Sequence, residues 1–306
     1  MRERIEGLIA AAYSPMDSRG LIHLDVIGDY AEYLSRNGVR GVFVGGTMGE
    51  SLSLTVPERL ELARCWRDAA PEGFKVIVHV GHTSLEASRE LAEQAQEIGA
   101  WGIGAIPPVF FKPADIRQNV EFSASIAERA PELPFYYYHI PGMTGVNIPL
   151  IDYFEEAADR IPNLAGAKFT CTDIMQFRMC AKCRGGKFDI VMGLDEYMLT
   201  GLFNGARGAI GSTYNFAAPL YNGIIEAFGA GDYEHAHELQ DRSHELLRLC
   251  ANFQRMHFLP VTKAIMKIIG CDVGFARAPL ANPGQGQVAA LEAELEAVGF
   301  FEYCGK

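Results

Sequence analysis

The chain has 306 residues, 49% of them apolar and 21% charged, which is the make-up of a folded globular protein and not of a disordered one. Its 38 acidic against 27 basic side chains leave a net charge of −11, and with no basic patch to offset it nucleic acid is not an expected partner. No 18-residue apolar stretch could cross a membrane, and the apolar run within residues 1–16 is too short for a secretion-signal core, so the sequence predicts a cytosolic protein.

Along the chain, short β-rich runs alternate with amphipathic stretches. Strands are predicted at 7–13, 41–45, 75–80, 101–106, 134–140, 164–169, 189–193 and 208–211. Most are continuously apolar, the pattern of a parallel strand covered on both faces. Helix starts are written between them. Thr55-Val-Pro-Glu58 supplies an N-cap, a Pro in the first turn and a Glu at the third helical position. Ser84 and Asp173 are further N-caps, and Gly38 and Gly99 fall where helices should stop. Eight β/α units predict a TIM (β/α)8 barrel over residues 1–230. An open doubly wound sheet fits less well, because no G-x-G-x-x-G follows the first strand. Residues 231–306 carry no strand. Helices predicted at 232–253, 260–269 and 287–298, with a Pro/Gly-rich loop before the last, make a C-terminal helical extension packed on the barrel.

Seven scattered cysteines are not a disulfide framework. Cys180 and Cys183 form a C-x-x-C, but they lie in a predicted helix interior with no second Cys/His pair at metal-site spacing. They read as ordinary, partly buried thiols.

In a TIM barrel the chemistry sits at the C-terminal ends of the strands. Lys168 lies near such an end in the apolar run Leu164-Ala-Gly-Ala-Lys-Phe169. Desolvation there favours the neutral amine, the form that attacks a carbonyl. The alternative is a lysine that reaches the barrel mouth and pairs with Asp195 or Glu196. Tyr138, in a run of three tyrosines, is a proton shuttle or a core aromatic. The turn Gly45-Gly-Thr47-Met48-Gly49 offers backbone N–H groups and a hydroxyl that could hold a carboxylate.

In order and spacing, Gly45-Gly-Thr-Met-Gly-Glu50, Tyr138-His-Ile-Pro141 with Thr144-Gly145, Gly166-Ala-Lys-Phe-Thr170, Gly193-Leu-Asp-Glu196 and Gly211-Ser-Thr-Tyr-Asn215 resemble the N-acetylneuraminate lyase and dihydrodipicolinate synthase family of class I aldolases. The resemblance spans essentially the whole chain. It implies a Schiff base between Lys168 and the ketone carbon of pyruvate, a proton relay at Tyr138, and a pyruvate carboxylate held by Thr47 and the backbone of the 47–48 turn. It implies neither metal nor other cofactor.

Within the family, the synthase branch carries an Arg two residues after the Pro of the tyrosine motif, where it grips the aldehyde's carboxylate. This chain has Met143 there, as the lyase branch has an apolar residue. The run through Tyr138-His-Ile-Pro141, with Phe110-Phe111-Lys112-Pro113 and Gly211–Asn215, looks like the animal-type sialic acid lyases. The implied reaction is reversible cleavage of N-acetylneuraminate (sialic acid) to N-acetylmannosamine and pyruvate. Thr170, Gly193, Asp195, Glu196 and Ser212 would hold the sugar chain, and Thr47 and Met48 the pyruvate end. Two departures keep an alternative open. Met48 replaces a second hydroxyl, and Phe110 stands where many members carry a Tyr that enters a neighbouring subunit's site. The alternative is another pyruvate-dependent aldolase or dehydratase of the family, acting on a different 2-keto-3-deoxy sugar acid. By the same resemblance the chain is expected to form a homotetramer, with small-molecule substrates as its other partners.

Overall fold

The continuously apolar runs become strands because both of their faces are covered. The computed structural model describes residues 3–306, so the first two residues of the predicted barrel span lie outside the described residues. Eight strands, β1 (Gly7–Ala11), β2 (Gly41–Val44), β3 (Lys75–His79), β4 (Gly102–Ala105), β5 (Phe135–His139), β6 (Leu164–Phe169), β7 (Asp189–Met192) and β8 (Gly208–Gly211), pair in chain order. All pairings are parallel, and β8 returns to β1 to close a TIM barrel. Several predicted strands overrun the observed ones, as at 7–13 against Gly7–Ala11. Ala12 and Tyr13 are buried, but they lie beyond the last ladder pair. Apolarity reports burial, and burial continues past the hydrogen-bonded ladder.

Helices α1 (Ile27–Arg36), α2 (Val56–Ala69), α3 (Leu85–Glu97), α4 (Ile116–Ala127), α5 (Pro141–Thr144), α6 (Leu150–Ala157), α7 (Ile174–Gly186), α8 (Met198–Phe203) and α9 (Tyr214–Ala230) surround the barrel. Three more follow, α10 (Tyr233–Asn252), α11 (Phe258–Ile268) and α12 (Gln285–Ala297). The start signals act as read. Thr55 and Glu58 form a reciprocal capping box on α2, and the Ser84 and Asp173 side chains accept from Ala87 N and Gln176 N. Gly38 and Gly99 adopt the left-handed conformation beyond α1 and α3. The short α5 and α8 carry too few turns to leave a periodic signal.

Strand alternation sorts the core into two shells. Ile9, Phe43, Ile77, Tyr136, Tyr138, Val191 and Ile210 fill the barrel interior. Leu8, Val42, Phe135, Tyr137 and Phe169 face the helices. Of the three consecutive tyrosines, two therefore point inward and Tyr137 points out, where Asn119 Nδ2 donates to its hydroxyl at 3.0 Å. Lys168 is the register partner of Tyr138 across β5 and β6, so both rise from the interior face at the same level.

The C-x-x-C lies at the end of α7, where the backbone leaves helical geometry at Cys183. Burial pushes the Cys180 thiol up to about 12, and all seven cysteines are free. High-pKa, buried thiols are unreactive.

Candidate active site

A cavity of about 490 Å³ opens at the C-terminal ends of the strands. Thr47, Met48, Tyr138, Lys168, Thr170, Gly193, Asp195, Glu196 and Ser212 all line it. The fold thus brings residues from the ends of β2, β5, β6, β7 and β8 to one space, of the size that takes a small ligand.

Lys168 is only 4% exposed. Its Nζ lies 5.0 Å from the Phe43 ring and 4.3 Å from the Tyr138 ring. It donates to Tyr138 Oη at 3.3 Å, and Tyr138 Oη lies 3.2 Å from Thr47 Oγ1. The three groups form a continuous chain from amine to phenol to hydroxyl. Among the described residues no carboxylate comes within ion-pair distance of Lys168, so the Asp195 or Glu196 pairing open from sequence does not form.

The 45–50 turn is shaped by its glycines. Gly45 sits at φ 65°, a left-handed conformation that a side chain resists. The backbone N–H groups of Thr47 and Met48 have no protein acceptor among the described residues. Two free amides beside a hydroxyl are donors without a job in the fold, and they suit an anion. Below the turn, His79 Nδ1 donates to Gly45 O at 2.8 Å. Burial first, and then the Arg59 guanidinium, hold His79 well below the usual imidazole range, so it is a neutral support. Arg59 itself is buried and donates to the carbonyls of His79 and Gly81 at 2.6 and 3.0 Å.

The opposite wall is polar. Asp195 is buried, and its Oδ2 accepts from Ser212 N, Ser212 Oγ, Thr213 N and Thr213 Oγ1 at 3.0, 2.9, 2.8 and 2.7 Å. Asp195 therefore fixes the loop that leaves β8. A Cβ at Gly211 would stand 1.7 Å from Asp195 Oδ1, so only glycine allows this approach. Gly193 is needed for contact and not for turning. It has no positive φ, and a Cβ there would meet Thr170 Oγ1 at 2.2 Å. Glu196 reaches solvent at the rim, while partial burial of its carboxyl, with a smaller push from Asp195, raises it above the usual carboxylate range.

A family model, the dihydrodipicolinate synthetase family, matches residues 4–298. The chain belongs to the dihydrodipicolinate synthetase family. It is similar to the N-acetylneuraminate lyase of Rattus norvegicus, with 38% identity over 99% of this chain and 96% of that one. Among solved structures it is similar to the Proteus mirabilis N-acetylneuraminate lyase, with 36% identity, a TM-score of 0.93, and coverage of 97% of this chain and 100% of that one. The N-acetylneuraminate lyase (sialic acid aldolase) of Aliivibrio salmonicida gives 36% identity and a TM-score of 0.93, with 98% of each chain covered.

Other residues of this family member reach the cavity from outside the strand ends. His244, Leu247, Arg248 and Ala251 come from α10, and Phe258 from α11. A survey of strand ends does not find them. Their i, i+3, i+4, i+7 spacing sets His244, Leu247, Arg248 and Ala251 on one helix face, beside the buried stripe of Ala236, Leu246 and Cys250. His244 Nε2 lies 3.0 Å from Glu196 O, and Gln240 Oε1 accepts from Leu199 N at 2.9 Å. So α10 holds the loop that carries Asp195 and Glu196. Met143 is 68% exposed and lies outside the cavity lining, as does Phe110 at 77%.

Proposed function

We propose that this protein is a class I, Schiff-base-forming aldolase that reversibly cleaves N-acetylneuraminate to N-acetylmannosamine and pyruvate. The observation that carries the reading is Lys168: a buried amine with no carboxylate partner among the described residues, hydrogen-bonded to Tyr138, at the floor of a cavity with an anion-suited turn on one side and a polar wall on the other. The Rattus norvegicus relative and the Proteus mirabilis structure described above bear the same lyase name.

The amine of Lys168 attacks the C2 ketone of the open-chain sugar acid and water leaves, giving an iminium. Thr47 and the free amides of the 47–48 turn hold the C1 carboxylate. The C3–C4 bond then breaks. Its electron pair moves toward the iminium to form an enamine, and Tyr138 takes the C4 hydroxyl proton as the aldehyde forms. Tyr138 returns that proton to C3, and water releases pyruvate from the lysine. Thr170, Gly193, Glu196 and Ser212 receive the sugar hydroxyls, with Asp195 holding Ser212 in place. Hydroxyl and carboxylate groups together supply both the donors and the acceptors that a polyol needs.

The competing reading, another 2-keto-3-deoxy sugar acid as substrate, shares the Lys168 chemistry and differs at the polar wall. A panel of such acids beside N-acetylneuraminate separates the two; faster turnover of another acid overturns the proposed substrate. We place the working form as a homotetramer by family likeness. The exposed Phe110 and Phe111, at 77% and 86%, are surfaces that a partner copy would cover. Sedimentation of the purified protein as a monomer would contradict it.

A further inference from the structure

Glu50 and Lys263 form an ion pair buried outside the cavity. Glu50 closes the 45–50 turn with φ at 56°, a left-handed conformation unusual for a side-chain-bearing residue. Lys263 comes from α11. Their side chains are 4% and 1% exposed, and Lys263 Nζ lies 3.0 Å from Glu50 Oε1. The ammonium also donates to Ser14 O at 2.8 Å and Phe275 O at 2.5 Å, so all three of its protons are used. The second carboxylate oxygen accepts from Arg277 N at 2.8 Å. Ser14 Oγ in turn donates to Gly49 O at 2.6 Å. Two side chains thus join the loop after β1, the 45–50 turn, α11 and the 275–277 segment.

Neither residue lines the cavity. The sugar-facing loop has its own support, from Gln240, whose Nε2 donates to Asp195 O at 3.3 Å, and from His244 of α10. The C-terminal helices therefore contact the two ends of the site through separate anchors. A buried charge that loses its partner is strongly unfavourable, so removing one member of the pair should move the other, and the turn with it.

We propose that Lys263 is a positioning residue for the pyruvate carboxylate: through Glu50 it holds the 47–48 turn in the form that presents Thr47 and two free amides. The inference rests on the reading of that turn as the carboxylate holder. It makes residues 231–306 part of the pyruvate site and not a detachable appendage.

The test is steady-state kinetics in the condensation direction, with pyruvate and N-acetylmannosamine varied separately. Lys263→Met keeps the apolar stem and removes the charge. It should raise KM for pyruvate about tenfold and leave KM for N-acetylmannosamine within about twofold. A purely structural role would lower the active fraction, and so kcat, with both KM values unchanged. Glu50→Gln keeps an acceptor for Lys263 and should give a smaller rise of the same selectivity; it decides the matter if Lys263→Met does not fold. Unchanged KM for pyruvate, or an equal rise in both KM values, overturns the inference. Borohydride trapping of pyruvate on the wild-type protein, run alongside, separates this from the underlying reading. If the wild type does not trap pyruvate, the functional reading fails; if it traps pyruvate while KM is unmoved in the variants, only the positioning role fails.

Discussion

Lys168 and Tyr138 are register partners on adjacent strands, and the lysine amine donates to the tyrosine hydroxyl at 3.3 Å. The contact follows from sheet geometry. Neighbouring residues at matched register point to the same face, so a lysine and a tyrosine meet inside the barrel without any loop to bring them together. The groups proposed to form the iminium and to move the proton are thus placed by the strands themselves.

Tyr138→Phe removes the hydroxyl between Lys168 and Thr47 and keeps the ring that packs against Phe43. We expect kcat to fall by about 10²-fold or more, the usual scale for a proton-transfer group, while pyruvate is still trapped on the lysine at a lower rate. Unchanged kcat would make Tyr138 a packing residue.

Asp195→Asn replaces an oxygen that accepts four hydrogen bonds with an amide that cannot accept them all. The loop carrying Ser212 loosens, and KM for N-acetylneuraminate should rise by about tenfold. Pyruvate trapping should stay within about twofold, because Lys168 and the 47–48 turn are untouched. An equally steep fall in pyruvate trapping would show that Asp195 serves the lysine and not the sugar.

His139 faces the helices, stacked on Phe169, with its Nε2 buried and without a hydrogen-bond partner among the described residues. Burial pushes it down to about 4, against a pull from Asp173. The unfolded chain takes up a proton below about pH 6.5, and the folded one refuses it until about pH 4. Stability is therefore complete above 6.5 and falls as the pH drops toward 4, by up to about 3 kcal/mol from this group. His139→Phe keeps the stack and removes the titration. Urea midpoints at pH 7 and pH 4.5 should show the variant gaining on the wild type by about 2 kcal/mol at the lower pH. Parallel pH dependence of the two proteins would contradict this.

The barrel is legible in the sequence because parallel strands are apolar throughout and their helices carry capping signals such as Thr55 and Glu58. Lys168 is legible for the opposite reason, as a charge where the pattern demands an apolar residue. Other features are not local. The support that α10 gives to Glu196 through His244, and that α11 gives to Glu50 through Lys263, joins residues dozens to hundreds of positions apart. Neither member of those pairs breaks its own element's pattern strongly enough to announce the other. Gly193 shows a different limit: the sequence marks it only as part of a strand-end motif, whereas the structure needs the missing Cβ to admit Thr170. The 231–306 extension likewise reads as a separate layer from its lack of strands, and only its contacts tie it to the cavity.

The most direct test of the Schiff-base reading is borohydride reduction in the presence of pyruvate, followed by intact mass and peptide mapping, on the wild type and Lys168→Ala. A single pyruvate-derived adduct on Lys168 is expected in the wild type. No adduct and no measurable cleavage of N-acetylneuraminate are expected in the variant, which should fold normally. An adduct on a different lysine, or a variant retaining a tenth of wild-type activity, would contradict it.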